Sequence, residues 1–196
     1  MSKKQPTATE VADVVAGLQD SRHIYTTKGG EQIELLPIPQ LQAERVREGA
    51  LRKAAELYGE AVKPTYTIED TGETFEHDEE SIKDAGDDVR AAWAKWQETV
   101  GQHEAYVNRR MMEFFFYHGI KADPDADTAW EEEQKFFDID IPSNPVERKI
   151  HYVQTRYIYD REDMEQITLR MLQLAGAREE VIEAAENTFR GTVGQA

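Results

Sequence analysis

The stretch DDVRAAWAKWQETVGQHEAYVNRRMMEFFFYH, residues 87–118, decides the fold of this chain. Val89, Trp93 and Trp96 begin a series of apolar residues that recurs every three or four positions, which is the spacing of one face of an α-helix. Some 30 residues at 1.5 Å each would give a helix about 45 Å long. We therefore expect this helix to be the centre of the fold, with one of its two opening aspartates as N-cap and Gly119 as C-cap.

The chain before this helix is expected to contain a β-hairpin and a second helix. Residues 23–36 carry a strand pattern on both sides of Gly29-Gly30, and that pattern predicts the hairpin. Residues 40–62 have apolar residues at helical spacing, and Lys63-Pro64 is expected to end the helix.

An acidic segment separates this helix from the long one. Short apolar alternations on both sides of Asp70-Thr71-Gly72 predict a second hairpin, which we expect to be exposed. Ten carboxylates lie between Glu69 and Asp88, against the single cation of Lys83. We therefore interpret residues 63–85 as an acidic hairpin insertion between two helices.

The chain after the long helix predicts a series of short capped helices. Thr128 followed by Glu131 has the capping-box pattern, and Asn144-Pro145 has an N-cap residue before a proline at the first helical position. A third helix is expected to end at Gly176. The helix that begins near Thr128 is expected to be anchored by Trp130, Phe136 and Phe137. The expected starts of the series are Thr128, Asn144, Asp160 and about Glu179.

These patterns together predict a mainly α fold. It has one long central helix, several short C-terminal helices and one or two small β-hairpins. We expect an N-terminal arm with a short helix at residues 1–20, a single domain over residues 21–191 and a disordered tail at residues 192–196. A chain of 196 residues is long enough for one domain of this kind.

The composition excludes several classes of function. The formal net charge is −16, which argues against nucleic acid because phosphate binding needs clustered Lys and Arg. The chain has no cysteine, which excludes disulfides and thiolate metal sites. Its N-terminus lacks the apolar core of a signal peptide, and no apolar run is long enough to span a membrane. The expected location is therefore intracellular.

The strongest candidate for a metal site is the alternating run of Asp123, Asp125 and Asp127. It resembles the opening of a calcium-binding loop, but Thr128 stands at the sixth position and Gln134 at the twelfth, where that loop has glycine and glutamate. We favour a solvated linker before a helix, where negative charge is stabilising. The five histidines lack metal-ligand spacing, and no phosphate loop or nucleophile elbow is present. We therefore expect no enzymatic activity and no cofactor.

The candidates for partner binding are aromatic and aliphatic side chains. Residues 111–117 are apolar on nearly every side of the long helix, so this segment is either covered by its own fold or free to bind a partner. Arg109, Arg110, Arg148, Lys149 and Arg156 are expected to be internal salt-bridge partners or a separate contact surface. The predicted partner-binding residues are Met111, Met112, Phe115, Phe116, Tyr117, Trp130, Phe136 and Phe137.

The order of these segments resembles a family of tail assembly chaperones from long-tailed bacteriophages. The segment Ile33–Pro39 leads into a helix, and the long aromatic helix ends Phe115-Phe116-Tyr117-His118-Gly119-Ile120. The segments that follow have the same order as in that family: Trp130, Phe137–Pro142, Asn144–Lys149 and Ala184–Gly191. The resemblance covers residues 31–191, with the acidic hairpin as a variable insertion.

The resemblance implies a protein without enzymatic activity. It implies binding of the tape measure protein in the host cytoplasm, help in assembling the tail tube from its subunits, and absence from the finished virion. A homo-oligomer is compatible with this role. The alternative function is a structural tail or neck subunit that stays in the virion, and a third hypothesis is a small metal-dependent enzyme built on the aspartate run.

Overall fold

The structure, a computed structural model, describes residues 23–176. It is 58% helical, with five α-helices and five short strands among the described residues. The predicted mainly α class is confirmed. The predicted arm at residues 1–20, the last helix from about Glu179 and the tail at residues 192–196 lie outside the described residues.

The α-helices are α1 (Gln40–Tyr58), α2 (Asp87–Gly119), α3 (Thr128–Phe136), α4 (Pro145–Arg156) and α5 (Arg161–Leu174), and a 3-10 helix covers Pro124–Ala126. The strands are β1 (Ile24–Thr26), β2 (Gln32–Leu35), β3 (Thr65–Thr67), β4 (Thr74–Glu76) and β5 (Ile120–Lys121). Although α2 has 33 residues, none of the helices in residues 23–176 combines the length and the apolar character that a membrane span needs.

The described residues divide into two compact units. Residues 23–40 and 113–176 belong to the first unit, and residues 41–112 form the second. The sequence predicted one domain over residues 21–191 with an insertion at about 63–85. That insertion lies within the second unit, which also contains most of α1 and of α2.

The first unit contains a three-stranded antiparallel sheet in the order β1-β2-β5. The predicted hairpin is confirmed. Its turn is closed by a hydrogen bond from Thr27 N to Glu31 O at 2.8 Å, and Gly30 has a φ of +86°, which favours glycine. Strand β5 was not predicted because its two residues are too short for a readable alternation. Ile120 of β5 lies opposite Leu35 of β2.

The core of the first unit joins this sheet to the helices. Leu35, Ile120, Val153, Ile167 and Met171 are all fully buried. The apolar side chains therefore come from β2, β5, α4 and α5. Burial of this kind is the main favourable contribution to folding.

Gly119 has a different role from the one predicted. It ends α2, but its φ is outside the left-handed region in which a glycine C-cap is found. The side chain of Met171 occupies the space that a Cβ atom at position 119 would need. The close packing of α5 against the end of α2 within the first unit therefore favours glycine at this position.

The N-caps of the C-terminal helices are those that the sequence predicts, with one exception. Asn144 accepts hydrogen bonds from two backbone N–H groups of α4, and Asp160 accepts one from α5, so both predicted N-caps are confirmed. The predicted cap at Thr128 is wrong. Asp127 is the N-cap of α3, and its carboxylate accepts the N–H of Trp130 at 3.0 Å. Thr128 is the first residue inside the helix because a charged carboxylate one position earlier caps it more strongly.

Replacing Asp127 with asparagine is expected to reduce the loss of stability at acidic pH. The N–H of Trp130 and the hydroxyl of Tyr152 both donate to the Asp127 carboxylate, and they lower its pKa below the usual value. The folded state therefore favours the charged form, and this stability is present above pH about 4 and lost as the pH falls below it. Urea unfolding at pH 6 and pH 3 should show a smaller difference for Asp127→Asn than for the wild type. Asp140→Asn, at an exposed carboxylate without an ion pair, is the matched control, and an equal effect there would contradict the assignment.

The second unit is built on α1 and residues 87–112 of α2. Helix α1 was expected to end at Lys63-Pro64, but it ends at Tyr58 because Gly59 takes a φ of +85°. The ring of Tyr58 packs against His103 and Tyr106 of α2. A glycine in the left-handed conformation stops the helix before the proline can.

The predicted second hairpin is confirmed and exposed. Strands β3 and β4 pair so that Tyr66 lies opposite Phe75, and all six strand residues are exposed. The Lys63 ammonium that precedes the hairpin lies 5.8 Å from the Trp93 ring centre and 5.3 Å from that of Trp96. The charged end of Lys63 is therefore held over the two indoles by cation–π attraction.

Candidate partner-binding surface

Helix α3 carries one buried aromatic residue and one exposed aromatic residue. Trp130 is 2% exposed, and its indole N–H donates to Thr155 Oγ1 at 2.9 Å. Its ring meets that of Tyr152 edge-on, with centres 4.9 Å apart. Phe136, two turns later, is 80% exposed. The anchoring role predicted for these aromatic residues is therefore confirmed for Trp130 and wrong for Phe136 and for Phe137, which is 62% exposed.

The end of α3 is a tightly hydrogen-bonded turn. Asp138 N–H donates to Lys135 O at 3.2 Å, and Ile139 N–H donates to Gln134 O at 2.9 Å. These two bonds are those of a Schellman motif, in which the residue after the C-cap Phe137 is left-handed. That residue is Asp138, which has a φ of 54° and is the single non-glycine residue with positive φ among the described residues. The turn therefore fixes the backbone conformation between Phe137 and Ile139.

Asp138→Gly is expected to stabilise the protein by about 0.5–1 kcal/mol, because glycine adopts positive φ without the steric cost that other residues have. Asp138→Val is expected to destabilise it by about 1–2 kcal/mol, since a β-branched side chain is poorly tolerated in the left-handed region. Urea unfolding of the two variants checks both signs. Equal effects would mean that the left-handed turn is absent in solution.

The exposed side chains of this turn form a small apolar patch. Phe136 is 80% exposed, Phe137 62% and Ile139 42%. The two phenyl rings meet edge-on, with centres 5.1 Å apart. We call these three residues the aromatic surface. Exposed apolar side chains that are adjacent and held in place are typical of protein-binding sites.

Carboxylates flank the aromatic surface along the chain. Residues 131–140 contain five carboxylates and one lysine, a net charge of −4. Lys135 Nζ is 2.7 Å from Glu131 Oε1, so this pair is internally neutral. The other four carboxylates are exposed and form no ion pair within residues 23–176. They are Glu132, Glu133, Asp138 and Asp140.

The remaining predicted binding residues are less accessible. Phe115 is 8% exposed and Phe116 2%, so both belong to the core of the first unit, as does Trp130. Tyr117 is half-buried, and Lys149 Nζ donates to its carbonyl at 2.7 Å. Burial also lowers the pKa of Lys149. Met111 and Met112 on α2 are partly exposed. Of the eight candidates, Phe136 and Phe137 are the two whose side chains are open to a partner.

The basic residues of this region are largely engaged within the fold. Arg148 Nε is 2.9 Å from Asp125 Oδ1, and Arg156 forms ion pairs with Glu31 and Asp127. The guanidinium of Arg109 lies over the ring of Tyr106 in the second unit. The expectation of internal partners is confirmed for Arg148 and Arg156.

The aspartates of the alternating run have separate structural contacts. Asp123 Oδ1 accepts the backbone N–H of Asp125 at 3.2 Å, Asp125 pairs with Arg148, and Asp127 caps α3. In the part of the chain that the structure describes, no group of three or more His, Asp or Glu side chains is arranged to hold a metal ion. The contacts of these aspartates are those of a helix start and its ion pairs.

Sequence reasoning missed the most buried carboxylate of the first unit. Asp163 is fully buried and accepts the Tyr25 hydroxyl at 2.6 Å and the Lys28 N–H at 3.1 Å. Burial and this hydrogen bond raise the pKa of Tyr25 well above its usual value. The signal in the sequence was weak, since an aspartate in the first turn of a helix is common on protein surfaces. The carboxylate joins β1 and its turn to α5.

No protein-family model, no curated protein and no solved structure matches this chain.

Proposed function

We propose that this chain is a tail assembly chaperone of a long-tailed bacteriophage. In this role it binds the tape measure protein, assists tail tube assembly in the host cytoplasm, and acts without a cofactor or an enzymatic step. The order of segments over residues 31–191 supports the proposal through the family resemblance described above. The mainly helical fold with a long central helix is compatible with that resemblance.

The observation that carries the proposal is the exposed pair Phe136 and Phe137. Two phenylalanines at 80% and 62% exposure leave apolar area in contact with water, which is unfavourable unless another molecule covers it. The turn at Asp138 fixes the backbone next to them and leaves both side chains exposed. A holding protein needs such a surface, since it must bind apolar segments of its client reversibly.

Co-purification with fragments of the phage's tape measure protein tests this proposal. The purified chain should retain such fragments, and the variant Phe136→Ser/Phe137→Ser should retain less. The variant Tyr66→Ser/Phe75→Ser is the matched control, because it removes another exposed aromatic pair from the second unit. Failure of the wild-type chain to retain any fragment of the tape measure protein would contradict the proposed function.

Mass spectrometry of purified virions separates the chaperone from the alternative. A structural tail or neck subunit would be found there in stoichiometric amounts, whereas an assembly chaperone would be absent. The position of the gene gives a second check. A chaperone gene is expected between the gene of the major tail protein and a very long open reading frame.

A further inference from the structure

The aromatic surface lies next to acidic residues in the sequence, at the end of α3. Phe136, Phe137 and Ile139 supply the apolar part. The four unpaired carboxylates come from positions 132, 133, 138 and 140, so each lies within four residues along the chain of an exposed phenyl ring. Such a site favours an occupant with apolar side chains next to cationic ones.

The other parts of this chain fit that description poorly. Residues 177–196 contain four glutamates and two arginines, a net charge of −2, and residues 1–22 contain three acidic and three basic residues. A second copy that docked through the same surface would bring like-charged carboxylates together. Like charges at close range are destabilising. An occupant from outside the chain is therefore favoured.

We propose that the aromatic surface binds a basic amphipathic segment of a partner protein. The apolar side chains of the segment cover Phe136 and Phe137, and its Lys or Arg side chains pair with the carboxylates that flank them. This inference rests on the proposed function, because it names the chemistry of the client segment that this surface takes. Apolar contact supplies the affinity, and the charges select the partner and speed the encounter.

The experiment uses the full chain and three helical model peptides of equal length. The first is built from leucine and lysine with helical spacing, the second replaces lysine with glutamate, and the third replaces leucine with serine. Fluorescence anisotropy of the labelled peptides measures binding at low and at physiological salt. We expect the leucine–lysine peptide to bind at least tenfold more tightly than either of the others, and more weakly as salt screens the charges.

Two matched pairs of variants locate the binding. Phe136→Ser/Phe137→Ser should weaken binding of the leucine–lysine peptide at least tenfold, whereas Tyr66→Ser/Phe75→Ser should leave it within a factor of two or so.

Neutralising the four carboxylates that flank the aromatic surface should weaken binding of the same peptide and make that binding less dependent on salt. Neutralising four exposed carboxylates of the acidic hairpin changes the net charge equally and should have a much smaller effect. The first set is Glu132→Gln, Glu133→Gln, Asp138→Asn and Asp140→Asn, and the second is Glu69→Gln, Asp70→Asn, Glu73→Gln and Glu79→Gln.

The outcomes are distinct. An equal loss of peptide affinity in both aromatic variants would mean that non-specific hydrophobic contact explains the binding. An equal loss in both charge variants would mean that net charge explains it. Either result would overturn the inference. Binding of the glutamate peptide as tightly as the lysine peptide would also overturn it. A change of oligomeric state in Phe136→Ser/Phe137→Ser, measured by light scattering, would assign the surface to a second copy instead. Tape measure fragments that bind equally to the wild type and to this variant would leave the proposed function intact and remove this surface from it.

Discussion

Replacing Trp130 with alanine is expected to lower the free energy of unfolding by about 4 kcal/mol. The indole is 2% exposed, stacks edge-on against Tyr152 and donates a hydrogen bond to Thr155. The guanidinium of Arg148 lies 5.6 Å from its ring centre. Alanine would leave a cavity between α3 and α4 and would remove each of these contacts.

Phe136→Ala is the matched control for this prediction. It removes a large aromatic side chain from the same helix, but Phe136 is 80% exposed, so the free energy of unfolding should change by less than about 0.5 kcal/mol. Urea unfolding followed by far-ultraviolet circular dichroism measures both variants. A small effect at Trp130 would mean that its indole is not packed in the core.

Asp163→Ala is expected to lower the free energy of unfolding by about 3 kcal/mol. Its carboxylate accepts hydrogen bonds from the hydroxyl of Tyr25 and the backbone of Lys28 and Tyr159, and it has no exposed surface. Removing it leaves these donors without their acceptor, which costs more than a hydrogen bond contributes when both partners are present. The β1–β2 turn would then lose its polar attachment to α5.

Two further variants divide this cost into parts. Asp163→Asn keeps the shape and one acceptor oxygen and should cost about half as much as alanine. Tyr25→Phe removes only the hydroxyl and should cost about 1–2 kcal/mol. The coupling between Asp163→Ala and Tyr25→Phe in a double-mutant cycle measures the bond itself. Additive effects of the two substitutions would contradict a direct hydrogen bond.

Features of the fold that depend on residues close together in the sequence were predictable. The N-caps at Asn144 and Asp160 bond to backbone groups within three residues of themselves, so the residue type and its position were sufficient. The turn at Gly29-Gly30 is likewise local. The long helix was readable because its apolar spacing persists over many turns.

Features that depend on distant residues were not predictable in the same way. The sequence does not distinguish Trp130 from Phe136 and Phe137, because all three are aromatic residues in or next to one short helix. It therefore predicts all three as anchors of that helix. In the structure α4 packs against Trp130, whereas Phe136 is 80% and Phe137 62% exposed. Strand β5 also depends on a remote partner, because two residues become a strand only when β2 is beside them.

The sequence by itself determined the helical class, the order of the helices, the N-caps at Asn144 and Asp160 and the acidic character of the chain. These properties follow from spacing, local hydrogen bonding and the count of charges. The tertiary structure alone decided which aromatic residues are buried, where Asp163 lies and which side chain packs against Gly119. Each of these depends on which remote side chain occupies the adjacent space, and packing between elements settles that occupancy.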